Sequence, residues 1–276
     1  MALAGAGVDG QGALINTGTG CMNSGFSGTT TLLGDTTIGC FSRIDFRGNV
    51  AGGGHTLTKI GGSELAVGVQ VHNCPIVINA GNYTYMNALA LGGADFDTTL
   101  NGGALRSYST QTVTEHLICN GGIVRTTGTT AEGNGVRLGH YPQTRSFYNM
   151  MGGTLIVGQD YDLGCATDGI GWFNMTGGEV FAKRVMLNER TGGGGYGRLT
   201  VAGGTLNLGS LTGSDLAISN GIAVDAGGPY LVELGGAGGT IRAVTNVTVF
   251  LDAALNGVGA EAIHFDPAGW EITVSG

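Results

Sequence analysis

Two pairs of acidic residues have spacing that chemistry could use, Asp95 with Asp97 and Asp160 with Asp162. Residues i and i+2 on a strand project to one face, so each pair could offer two carboxylates to a cation. The run Gly92-Gly93-Ala94-Asp95-Phe96-Asp97 half-matches the calcium-binding nonapeptide Gly-Gly-x-Gly-x-Asp. Asp95 stands where that motif needs Gly, and the motif works in tandem, so a solvated turn is expected there. Glu115-His116 sets an acid and an imidazole on opposite faces of a strand and takes no role. His140, Tyr141 and Arg145, then Asp168, then Glu189 and Arg190 form a mixed row that could be a ledge for a glycan or another subunit. The simpler reading of that row is a ladder of solvated charges worth little energy. Trp172 and Trp270 stand too far apart in sequence to suggest a sugar-stacking platform. There is no nucleophile elbow, no His-Glu-x-x-His and no phosphate-binding loop. No catalytic, cofactor-binding or metal-ligating residue is assigned, no cofactor is expected, and the chain does not read as an enzyme.

The five cysteines, Cys21, Cys40, Cys74, Cys119 and Cys165, include no Cys-x-x-Cys pair, so metal-ligand spacing is missing. An odd count forbids complete internal pairing. Small buried core residues are the simpler expectation, since free Cys is among the most buried residue types. One disulfide, with Cys21 and Cys40 as the nearest partners, or a bond between subunits, is the alternative.

What must position these residues is a chain that turns very often. Of 276 residues, 56 are Gly, 4 are Pro and 12% are charged. Collagen would need Gly at every third position, and disorder would need few apolar residues, whereas 42% here are apolar. Thr, Val, Ile and Leu fill the intervals between glycines, so the turns join short strands. Net charge is −8, and Lys occurs only at Lys59 and Lys183, which leaves no electrostatic footprint for nucleic acid or an anionic membrane. No run approaches the roughly 18 apolar residues of a membrane helix. Met1-Ala2-Leu3-Ala4-Gly5 carries neither a basic nor a long apolar region, so an exported chain would be a mature form or an excised piece.

A cassette recurs in the second half. It reads Tyr148-Asn149-Met150-Met151-Gly152-Gly153-Thr154-Leu155, then Phe173-Asn174-Met175-Thr176-Gly177-Gly178-Glu179-Val180, then Leu199-Thr200-Val201-Ala202-Gly203-Gly204-Thr205-Leu206. The Gly-Gly starts lie 177 − 152 = 25 and 203 − 177 = 26 residues apart. A second track runs in phase, through Leu138, Leu163 and Leu187, at spacings of 25 and 24. Tyr148 and Met150, Phe173 and Met175, and Leu199 and Val201 sit two apart and so face one side of a strand. A corner without Cβ atoms lets the chain turn while both flanking apolar sets stay inward. No such coil buries its face alone, so it must stack on its neighbours. These features predict an all-β, single-stranded parallel β-helix, or β-solenoid, of roughly 25 residues per coil. Right-handed crossovers are the default for it. An antiparallel two-sheet sandwich is the rival fold.

The first half differs in motif. Leu57-Thr58-Lys59-Ile60-Gly61, followed by Leu65-Ala66-Val67, resembles the autotransporter-associated β-strand repeat, with its Leu-Thr-Lys-x-Gly core before a short apolar strand. The Met175-Thr176-Gly177-Gly178 cassette resembles companion repeats of the same large exported bacterial proteins. The resemblance implies export, a parallel β-helix, and adhesion or surface display. Residues 1–115 then form the repeat-like coils and residues 116–276 continue the same solenoid with the Gly-Gly cassettes. No translocator barrel or anchoring helix follows Thr273-Val274-Ser275-Gly276, so direct membrane insertion is not expected. The expected role is an extracellular or cell-surface structural or adhesive solenoid that self-associates end to end or laterally, even into filaments. The alternative is a β-helix that binds or cleaves polysaccharide, with surface glycans as its partner.

Overall fold

The computed structural model describes residues 1–18, 25–86, 91–93, 95–107, 116–126, 136–138, 145–157, 160–163, 170–187, 196–209, 221–224, 230–234, 238–250 and 264–275. These residues are all-β, with Val8–Gly10 as a single 3-10 turn. Every strand register described is parallel, which rules out the antiparallel sandwich. The chain divides into two compact units, Met1–Arg125 and Thr126–Gly276.

In Met1–Arg125 the strands fall into three parallel sets. The first contains Leu14–Asn16, the end of Thr30–Cys40, Leu57–Ile60, Ile76–Ile78, Thr98–Leu100 and His116–Cys119. Its register aligns Ile38, Lys59, Ile78, Leu100 and Cys119 in one buried column, and Thr36, Leu57, Ile76, Thr98 and Leu117 in another. The second set stacks Ile44–Phe46, Glu64–Val67, Asn82–Tyr85 and Ala104–Ser107, so that Ile44, Leu65, Tyr83 and Leu105 share a buried column. The third set runs from Ala2–Gly5 through the start of Thr30–Cys40 to Val50–Ala51 and Val71–His72. Alternation explains the burial, since each strand turns every second side chain inward, where it meets the matching side chain of the next rung.

The turn from the first set into the second is made by glycine. Gly81 has φ +67°, and a Cβ there would strike the carbonyls of Ser63 and Gly61 and approach Lys59 Nζ to 2.7 Å. Successive rungs of this unit lie 59 − 38 = 21, 78 − 59 = 19, 100 − 78 = 22 and 119 − 100 = 19 residues apart. The 25-residue period therefore holds only where the cassettes are. Most strands here are short, and Thr30–Cys40 alone among the described strands of this unit continues from one set into another.

In Thr126–Gly276, Ile170–Ala182 and Tyr196–Leu208 are strands of 13 residues that pass through the Gly-Gly corner with a local shift of register. Met150 pairs with Met175 and Met175 with Val201, all three fully buried, and Tyr148, Phe173 and Leu199 align in the same way. Beyond the corner, Leu155, Val180, Leu206 and Ile241 form a third buried column. A separate six-stranded parallel sheet holds the second track. It runs Val136–Leu138, Asp160–Leu163, Arg184–Leu187, Gly221–Val224, Val247–Phe250 and Ile272–Ser275, with Leu138, Leu163 and Leu187 in register.

Candidate functional site

Inward positions are occupied by core, so any site must lie on outward positions or at corners. In Met1–Arg125 the outward side of the second set is polar and closely bonded. Arg43 Nε lies 2.6 Å from Asp45 Oδ1 and Arg43 Nη1 lies 3.2 Å from Glu64 Oε2. Arg47 reaches Asp45 at 3.6 Å, and the Thr84 hydroxyl donates to Glu64. Asp45 and Thr84 are buried beneath this layer, so the charges are spent on one another rather than presented to a ligand.

Lys59 is the unusual member of the core. It is 0% exposed, between Ile38 and Ile78 in its column, and its ammonium donates to the carbonyls of Ala80 at 2.6 Å and Gly61 at 3.0 Å. Burial lowers its pKa from 10.5, an effect opposed by Cys40 and Glu64. This lysine closes the glycine corner by supplying donors to carbonyls that the tight turn leaves without backbone partners.

The residues singled out in the sequence are scattered. Asp97 Oδ1 lies 2.7 Å from His116 Nδ1, one rung above, while Asp95 is exposed in the preceding turn. The imidazole given no role is thus the partner of one of the two carboxylates. Glu115 lies outside the described residues. Asp160 and Asp162 sit on one strand, and register sets Arg184 beside the first and Arg137 beside the second. Arg145 begins an outward column with Ile170, and His140, Tyr141, Asp168, Glu189 and Arg190 lie outside the described residues. Cys40 and Cys74 are free and buried, Cys119 is buried with its thiol 3.5 Å from the Gly121 carbonyl, and Cys21 and Cys165 lie outside the described residues. Among the described residues no group of three His, Cys, Asp or Glu side chains could hold a metal ion. No helix is long and apolar enough to cross a membrane.

Trp172 belongs with residues of adjacent rungs, not with the exposed Trp270. Register places Phe147, Trp172 and Arg198 in one outward column. The Phe147 and Trp172 rings meet edge to face at 4.9 Å, and the Arg198 guanidinium lies 5.0 Å from the Trp172 centroid. Asn149 and Asn174 stand beside them, Asn174 donating to Asn149 at 3.4 Å. The sequence held a signal for this column, since Phe147, Trp172 and Arg198 each precede an inward residue of the cassette by one position. Comparison with known proteins returned no match to any family model, any curated protein or any solved structure.

Proposed function

We propose that this chain is an extracellular structural or adhesive β-solenoid, right-handed, whose role is to present a stiff, repetitive surface. The supporting observation is the in-register parallel stacking of buried inward columns in both units. Short rungs that repeat with polar or bonded outward faces suit display better than turnover. The likeness of Leu57-Thr58-Lys59-Ile60-Gly61 and of the Gly-Gly cassettes to autotransporter-associated repeats supports export and surface location. Support for self-association comes from the strand Gly25–Phe26, which among the described residues pairs on one side only. Phe26 is 38% exposed where its in-register neighbour Phe46 is 1% exposed, and such an edge is a template for a second copy. Light scattering and electron microscopy of the purified chain test this, with concentration-dependent oligomers or filaments expected. A monodisperse monomer at high concentration would remove the self-associating role.

One observation favours a second reading, a polysaccharide-binding β-helix. The Phe147, Trp172 and Arg198 column, with Asn149 and Asn174 beside it, offers aromatic and amide groups to a sugar. One ring face of Trp172, however, already carries the Arg198 guanidinium. A glycan array with a reducing-sugar assay separates the readings. Binding lost in Trp172→Ala would favour the second, and release of reducing ends would favour cleavage.

A further inference from the structure

Three exposed asparagines stack at the corner that ends the first strand set of Met1–Arg125. Asn101 Nδ2 donates to Asn79 Oδ1 at 2.9 Å, and Asn120 Nδ2 donates to Asn101 Oδ1 at 2.8 Å. Asn79 is followed by Ala80, but Asn101 and Asn120 are each followed by glycine. With no Cβ in the way, a following glycine nitrogen is the backbone group best able to reach an asparagine side-chain carbonyl.

We propose that this ladder is a modification site, at which Asn120-Gly121 deamidates first in the folded unit while the ladder holds back Asn101-Gly102. The glycine backbone nitrogen attacks Cγ and a C–N bond closes a succinimide ring. The Cγ–Nδ2 bond breaks and ammonia leaves, carrying the glycine nitrogen's proton by way of solvent. Water then opens the ring to aspartate or isoaspartate. One amide and one water give one carboxylate and one ammonium ion, and nothing is oxidised or reduced.

The order comes from the hydrogen bonds. Attack requires Cγ to rotate over the following nitrogen, so a side chain pinned at both ends reacts more slowly than one pinned at a single end. Asn101 donates to Asn79 and accepts from Asn120, whereas among the described residues Asn120 makes only its donor bond. The nucleophiles are restrained alike, since Gly102 N donates to Ile78 O and Gly121 N to Leu100 O, each at 3.4 Å. The difference is one neutral hydrogen bond, which at about 1 kcal/mol corresponds to about a five-fold slower reaction at Asn101. Once Asn120 is a carboxylate it can no longer donate, and its charge faces the Asn101 carbonyl oxygen. Asn101 is then released in turn, and the change travels down the ladder.

The test is peptide mapping of the intact chain after incubation in mildly alkaline buffer, folded and in urea, with the mass gain and isoaspartate content read at each site. In urea the two sites should react at equal rates. In the folded chain both should slow, with Asn120 about five-fold ahead of Asn101. Equal folded rates, or Asn101 leading, would overturn the proposal. Asn79→Ala, checked for folding by circular dichroism, should bring Asn101 to the rate of Asn120. An unchanged Asn101 rate in the folded variant would overturn the restraining role of the ladder, and if the variant fails to fold the wild-type ratio decides alone.

Discussion

The buried thiols of the first unit tie its stability to alkaline pH. Burial pushes Cys40 up from 9.0 to about 11 and Cys74 up to about 12, and the enclosed Tyr83 phenol is raised well above 10.0. The folded chain keeps these protons to higher pH than the unfolded chain, so the stability they carry is intact below pH 9 and is lost as pH climbs through 11 and 12. Lys59 has the opposite sign. Its lowered pKa means that folding becomes easier as pH rises toward 10.5, after which its contribution is level. Thermal melts should therefore hold to about pH 9, decline gently while Lys59 offsets part of the loss, and fall steeply above about pH 10.5. In Cys74→Ala the fall should be shallower, whatever the change in the midpoint at neutral pH. A second residue-scale prediction concerns Thr30, which is buried in register with Val50 and Val71 and whose hydroxyl has no partner among the described residues. Thr30→Val removes an unsatisfied group at nearly constant shape and should stabilise the chain by about 1 kcal/mol in urea unfolding.

At the scale of strands and corners, the Gly-Gly turn fixes where each rung bends. Gly204 has φ +75°, and a Cβ there would lie 2.5 Å from Gly178 O and 2.6 Å from Met175 Cε. Gly204→Ala combines a strained backbone with that clash and should destabilise by about 2 kcal/mol or more. Gly34→Ala, where the new methyl would meet Ala4 Cβ at an ordinary 3.6 Å, should be near neutral, and urea melts of the two variants give the contrast. Met175→Ala opens a void beneath Met150 and Val201 and should cost about 2–5 kcal/mol. The cassette rungs were legible because their apolar residues repeat at constant spacing on both tracks, so Met150 over Met175 and Leu138 over Leu163 followed from counting. The shorter pitch of the first unit was not legible, because Thr30–Cys40 serves two strand sets at once and no single motif marks its rungs. Outward columns were hidden for a related reason. Phe147, Trp172 and Arg198 share a place but not a residue type, and nothing in the sequence around Lys59 names the carbonyls its ammonium meets.

For the molecule as a whole, charge sets how closely copies approach. At −8 the chain repels itself at neutral pH, and acidification toward its isoelectric point of about 4.9 removes that barrier. Scattering at fixed concentration should rise on acidification from pH 8 to about pH 5, and salt at neutral pH should raise it too by screening. Scattering that stays flat across both series would leave the exposed edge near Phe26 without a driving force for assembly. The parallel registers also give each unit a mechanical grain. Backbone hydrogen bonds run from rung to rung, across the strands, so tension applied across the ladder loads one rung's bonds at a time and peels the sheet. Tension along Ile170–Ala182 and its in-register neighbours instead shears a whole row of bonds together. Handles that pull the second unit along its strands should therefore meet a much higher rupture force than handles that pull it across them.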